Sequence, residues 1–473
     1  MYPKRILYAS LGWAALGNVG VNAGRLLLLL LLSRVMPGSE FGVLAIVHTL
    51  FGFSTFFVDG GIGNVLFRAE LPSRETRAAL FWWSMGWGMG LLVLTLVVSN
   101  WLSLFYNMPR LKVALPLAAL GLVLTAAGAQ HRVLLRRALR FDRLAKIELA
   151  AFAVNFGLTV CLAYQGYGCL AVIWGNLANL AVATLLYFIL GDPEWLPRWY
   201  FRRHLVRPYT TFGFYQMGER CANYLAERSD VLIIGKVLGP EALGLYDVMK
   251  QLLSRPEAVF NAVAGSVALP VMAARAEEAG FLQKAYLGLV QRLNVLNFPV
   301  FVFCMAFPGP LLLATLGPNW SAQALVFQCL TAYQLLHSTC NPVGALQMAK
   351  GRADLGFYWN VLLLLLMPAA VFWGLQGGLL GVALAVFVLF FGLQPFFFRY
   401  MVWAVAPMNW KPYYRSWLLP LLAALVTAGL VHAFLSQDGD DFGILALAGG
   451  VYAATYAALI FVFNRKIFEI KYF

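Results

Sequence analysis

Residues 209–238 read YTTFGFYQMGERCANYLAERSDVLIIGKVL. The stretch is long enough to cross a bilayer, since about 20 residues at 1.5 Å rise span a hydrocarbon core of roughly 30 Å. It nevertheless carries Glu219, Arg220, Glu227, Arg228 and Asp230. At about 100° per residue, Gln216, Glu219, Arg220, Asn223, Glu227 and Asp230 share one face of a helix, and apolar residues such as Leu232 and Ile233 fill the rest. Ionisable side chains in a membrane helix face a bundle interior or a water-filled cavity, so this stripe is expected to line a buried polar space. The alternative is a set of structural ion pairs between helices. Arg228 lies off the stripe and is expected to pair with a neighbouring helix.

The surrounding chain has the composition of a bundle in lipid. It has 473 residues, of which 61% are hydrophobic and only 12% charged, with a mean hydropathy of +0.74. Apolar runs recur from end to end, which predicts an all-α polytopic membrane protein with about 14 transmembrane helices. These are expected at 11–35, 41–67, 78–105, 113–135, 147–165, 168–190, 209–238, 243–271, 284–314, 320–347, 355–374, 378–403, 414–435 and 443–463. Most of the 35 Lys and Arg then fall in alternate connections, among them Arg132, Arg136, Arg137, Arg140 and Arg143 in one, and Arg198, Arg202, Arg203 and Arg207 in another. An opposite connection is the acidic SQDGDD of residues 436–441. The positive-inside rule puts both termini and the basic loops in the cytoplasm.

That placement of the +14 net charge argues against a nucleic-acid partner. The six cysteines fall in apolar segments without metal-ligand spacing, which excludes a disulfide framework and a metal centre and favours small buried side chains. No Walker-type phosphate loop, no catalytic constellation and no cofactor motif is present. A membrane polymerase or glycosyltransferase is the alternative from another functional class.

An internal repeat organises the helices. Residues 33–44, SRVMPGSEFGVL, match residues 235–246, GKVLGPEALGLY, with Arg34 over Lys236 and Gly42 over Gly244. The same register sets Arg25 over Glu227. Two parallel six-helix repeats follow: an N-lobe at 1–190 (helices one to six), a basic cytoplasmic linker at 191–208, a C-lobe at 209–403 (helices seven to twelve), and two additional helices at 404–473. Parallel repeats place a substrate site between the halves and allow alternating access by rocking. Polar faces on the first (Asn18, Asn22, Arg25), second (His48, Thr55, Asp59), seventh and eighth helices (Asp247, Lys250, Ser254, Glu257) are expected to share a central cavity. Its cations, Arg25, Arg220, Lys250, Arg255 and Arg292, suit a phosphate group. Asn22, Asp59, Glu219, Asn223, Glu227, Asp230, Asp247 and Glu257 are expected to balance that charge, accept sugar hydroxyls or bind a coupling ion, H⁺ or Na⁺.

At these residues the chain resembles the oligosaccharide flippases of the multidrug/oligosaccharidyl-lipid/polysaccharide (MOP) superfamily, in particular Wzx and WzxC-type exporters. The resemblance rests on residues 31–47 (LLSRVMPGSEFGVLAIV), 58–68 (VDGGIGNVLFR), 136–149 (RRALRFDRLAKIEL), 229–256 (SDVLIIGKVLGPEALGLYDVMKQLLSRP) and 267–273 (VALPVMA), and covers about residues 10–403. It implies two six-helix lobes around a cationic cavity in the bacterial inner membrane. It also implies transfer of an undecaprenyl-diphosphate-linked oligosaccharide between leaflets, for surface polysaccharide made with polymerase and export machinery. Asp59 and Asp230 match recurrent acidic positions of the family, whereas the charge-dense GERCANYLAERSD of residues 218–230 departs from it. A lipid II flippase or a drug/cation antiporter is the alternative within the superfamily. Arginines in the cavity would speak for a diphosphate, and carboxylates for a cationic drug.

Overall fold

Proline and glycine mark where the helices of this chain begin and end. The computed structural model describes residues 4–60, 73–191, 198–278, 280–434 and 442–463. They form α1 (Lys4–Val35), α2 (Gly38–Asp59), α3 (Arg74–Tyr106), α4 (Leu111–Arg137), α5 (Phe141–Tyr164), α6 (Cys169–Leu190), α7 (Arg203–Val237), α8 (Gly239–Ala274) and α9 (Phe281–Ala306). After these come α10 (Pro308–Thr315), α11 (Pro318–Ser321), α12 (Ala324–Cys340), α13 (Val343–Ala349), α14 (Ala353–Gly374), α15 (Gly378–Phe396), α16 (Trp410–Phe434) and α17 (Phe442–Phe463). No strand occurs among the described residues. Pro37 precedes α2, and Gly60, at φ 51°, closes it in the left-handed region. Ser73 caps α3 by accepting the Thr76 N–H at 3.2 Å.

Nine helices among the described residues are long and apolar enough to cross a membrane. α7 and α8, at 35 and 36 residues, also have the length to cross. Large apolar side chains such as Val97, Leu104, Phe372 and Trp373 face outward, as a surface solvated by lipid requires. This is a multi-pass α-helical membrane protein.

Several expected boundaries change. The helix expected at 320–347 is broken between α12 and α13 by Asn341 and Pro342, because proline has no N–H for the helical ladder. The one expected at 284–314 ends at Ala306, and Pro308 opens the separate α10. α7 begins at Arg203, inside the expected linker, whose residues 192–197 lie outside the described residues. So do the acidic connection at 436–441, Arg68 and the C-terminal Arg465, Lys466 and Lys471. Cys161, expected to be buried, is exposed.

The chain forms two compact units, Met1–Asp247 and Val248–Phe473, and the division falls within α8. In the first, α1 packs on α5 through a seam of glycines: a Cβ on Gly17, Gly20 or Gly24 would collide with Ala145, Leu149 or Phe152. The spacing repeats at three and four residues on both helices, so the two faces mesh. The matched repeat positions also meet in this unit. A Cβ on Gly42 would strike the backbone of Pro240, and one on Gly244 the backbone of Gly38. Gly38 and Pro240, like Gly42 and Gly244, are repeat equivalents, so the two contacts are local two-fold images of one another. In the second unit Tyr286, Phe397, Met401 and Tyr413 centre a large apolar core.

Candidate functional site

A cavity of about 590 Å³ opens inside the first unit, walled by α1, α2, α4, α5 and α6 with Arg220 of α7. Its charged lining is four arginines, Arg25, Arg132, Arg136 and Arg220, and two carboxylates, Asp59 and Glu148. Neutral polar groups, including Asn18, Asn22, Thr125, Asn179 and Tyr187, complete the wall.

Local packing explains the placement. The α1 glycine seam holds α5 close, and Glu148, one turn before Phe152, lies on the stretch of α5 that meets Gly20 and Gly24, beside Arg25. On α4, Gly128 lets Thr184 and Tyr187 of α6 approach, and the Thr184 hydroxyl donates to the Leu124 carbonyl at 3.1 Å. Thr125, Ala129, Arg132 and Arg136 recur at three and four residues along α4 and turn one face into the cavity.

The charges are paired unevenly. Arg220 Nη1 donates to Asp59 Oδ2 at 3.2 Å. Arg132 donates from Nε at 3.2 Å and Nη2 at 2.8 Å to the same oxygen, Glu148 Oε1. Arg25 and Arg136 lie within the electrostatic reach of both Glu148 and Arg132. Neither forms an ion pair of its own among the described residues, so the cavity wall holds a surplus of positive charge.

The expected site residues are distributed as follows. Asn22, Arg25, Asp59 and Arg220 line this cavity, with Asn22 Nδ2 donating to the Asn18 carbonyl at 2.8 Å. The rest of the α7 stripe serves other purposes. Tyr224, which the stripe did not include, donates to the Thr49 carbonyl at 3.2 Å over Gly52. Arg228 pairs with Asp247 at 3.4 Å, the neighbouring-helix partner that its off-stripe position called for. Asp230 is fully buried and accepts from the Tyr246 hydroxyl at 2.9 Å and from the Val231 N–H. Asn223 is half-buried and Glu227 exposed, and neither lines the cavity. The Glu219 side chain lies outside the described residues.

Lys250, Arg255, Glu257 and Arg292 belong to the second unit and are not among the cavity-lining residues. Arg255 Nη2 donates to Gln251 at 3.3 Å. Glu257, only 5% exposed, accepts from Gln334 and Asn341 and lies 3.7 Å from His337 Nδ1. The sequence places Glu148 at the start of the fifth helix with no site role, and Arg132 and Arg136 in a cytoplasmic connection. Their helical spacing with Thr125 and Ala129 was the signal that could have placed them.

A family model described as polysaccharide biosynthesis protein matches residues 31–325. The teichuronic acid biosynthesis protein TuaB of Bacillus subtilis (strain 168) is 25% identical over 95% of this chain and 93% of its own. The lipopolysaccharide biosynthesis protein WzxC of Escherichia coli (strain K12) is 26% identical over 89% of this chain and 86% of its own. Among solved structures, the lipid II flippase MurJ in its inward closed conformation superposes with a TM-score of 0.79 at 12% identity, covering 96% of this chain and 99% of MurJ. At that identity the likeness is one of fold.

Proposed function

We propose that this chain, which belongs to the polysaccharide biosynthesis protein family, is a flippase for an undecaprenyl-diphosphate-linked oligosaccharide, moving it from the cytoplasmic to the outer leaflet of a bacterial inner membrane. The observation that carries the reading is the surplus of arginine over carboxylate in an open cavity within a membrane bundle. A diphosphate offers arginine a bidentate, doubly charged partner. A cationic drug would meet repulsion from the same wall, which disfavours the antiporter alternative. The asparagines, threonines and tyrosine between the arginines suit sugar hydroxyls. No bond is made or broken in this activity, so the site needs no nucleophile, metal or cofactor.

The same proposal includes cytoplasmic termini, two six-helix repeats at 1–190 and 209–403 with two further helices after them, and alternating access. Asp59, already held by Arg220, is the carboxylate best placed to link cavity charge to a proton or sodium gradient. Polysaccharide polymerase and export machinery would consume the transferred unit.

Reconstituted vesicles test it. A lipid-linked oligosaccharide supplied on one face should become accessible to an impermeant sugar oxidant on the other only when the protein is present. Arg25→Ala should lower the rate about 10- to 100-fold while the protein still accumulates, as expected for loss of a charge-assisted contact. Imposed proton and sodium gradients should alter the wild-type rate, and Asp59→Asn should blunt the response. No transfer by well-folded wild-type protein would sink the flippase reading, and a rate indifferent to every gradient would remove the coupling step.

A further inference from the structure

Three arginines and one carboxylate share the α1, α4 and α5 wall of the cavity. Both donor nitrogens of Arg132 that contact Glu148 converge on Oε1. Arg25 and Arg136 line the same cavity within electrostatic reach of that pair, without an ion pair of their own among the described residues, and Tyr187 of the same wall is within reach of Arg132, Arg136 and Glu148. The carboxylate is 22% exposed and its arginine 46%, so the pair faces the open cavity and a ligand can reach it.

Resting on the flippase reading, we infer that Glu148 is a built-in competitor for the cargo's diphosphate. A lone carboxylate carries one negative charge, and a diphosphate diester carries two with several acceptor oxygens. The wall, with three cations and one anion, has the two uncompensated positive charges such a group requires. In the empty cavity Glu148 occupies the Arg132 fork and keeps that side chain extended into the space. An arriving diphosphate meets Arg25 and Arg136 directly and exchanges with Glu148 for Arg132. The displaced carboxylate stays beside the bound anion and repels it, so the headgroup is held firmly enough to be captured and loosely enough to be released. Arg220, neutralised by Asp59, is secondary in this scheme. A cavity that bound its cargo without this competitor would trap it, because uniformly tight binding favours no step of a transport cycle.

The test is binding to the full chain in lipid nanodiscs, with inorganic pyrophosphate, farnesyl diphosphate and glucuronate as probes. Glu148→Gln, which keeps the acceptor oxygen and removes the charge, should bind pyrophosphate roughly tenfold more tightly than wild type, the size expected for a screened like charge a few ångströms from the ligand. Arg25→Ala and Arg136→Ala should bind it about tenfold more weakly. In the vesicle assay Glu148→Gln should turn over more slowly at saturating cargo despite its higher affinity, the signature of hindered release that a merely structural role would not produce. Glu148→Asp should fall between Glu148→Gln and wild type, and it carries the test if the glutamine variant accumulates poorly. Farnesyl diphosphate bound more tightly than pyrophosphate by all variants in the same order would identify the lipid-linked source. Unchanged or weaker pyrophosphate binding by Glu148→Gln, or no binding by any variant, overturns the competitor while the flippase reading still stands on wild-type transfer. Glucuronate bound as tightly as pyrophosphate overturns the assignment to a diphosphate.

Discussion

Glu148 and Glu257 are both carboxylates within helical bundles, and both sit among nitrogen donors. Glu148 faces arginines on the wall of an open cavity, and the cations around it outnumber it. Glu257 is enclosed, with neutral amides of Gln334 and Asn341 as its donors and His337 nearby. The same functional group is thus part of a cavity-facing charge surplus in one place and part of an internal polar clasp in the other. What separates the two is access: the Glu148 side chain is 22% exposed and the Glu257 side chain 5%. An exposed ion pair stabilises little because water screens it. An enclosed carboxylate must be satisfied internally, and removing it strands its donors.

The contrast makes an ordered set of expectations for stability. Glu257→Ala should have the largest effect, about 3 kcal/mol, because the buried Gln334 amide loses its acceptor. Thermal unfolding in detergent would read it, and a melting curve like that of wild type would remove the clasp from the account. Tyr246→Phe should come next at about 2 kcal/mol, the worth of a hydrogen bond to a buried charge on Asp230. Export should then fall only in proportion to the folded protein, and a specific loss of transport at normal stability would return Asp230 to the coupling role. Arg132→Ala should have the smallest effect on stability, below about 1 kcal/mol, yet it should slow transfer. A large drop in melting temperature would make the Arg132–Glu148 pair structural and erase the difference between the two regions.

Much of the first region was legible in the chain before any distance was known. The polar stripe at 209–238 identified α7 as a helix with business inside the bundle, and Asn22, Arg25, Asp59 and Arg220 do meet on one cavity wall. The stripe was also over-read. Helical periodicity gives the face on which a side chain lies and says nothing of what that face meets, so it does not distinguish Asp230, bonded to the Tyr246 hydroxyl, from Arg220 on the cavity wall. Conversely, Arg132 and Arg136 read as part of a cytoplasmic connection. A basic run near a predicted helix end reads as a cytoplasmic loop by hydropathy, but α4 continues to Arg137 and carries both arginines on its cavity face. Helix ends are where local signals are weakest, because flanking turns and the last helical turn use the same polar residues.

The amino-acid sequence by itself determined that this is a helical membrane protein. Hydropathy, helical period and the match of Gly42 to Gly244 are properties of single segments, or of two segments laid side by side on paper. The tertiary structure alone decided which charges are matched and which are left over: Arg220 to Asp59, Arg132 to Glu148, Asp230 to Tyr246, with Arg25 and Arg136 in surplus. Electrostatic energy depends on separation and on access to water, and both are set by how helices distant in the chain are packed, here by glycine seams that bring α1 to α5 and α4 to α6.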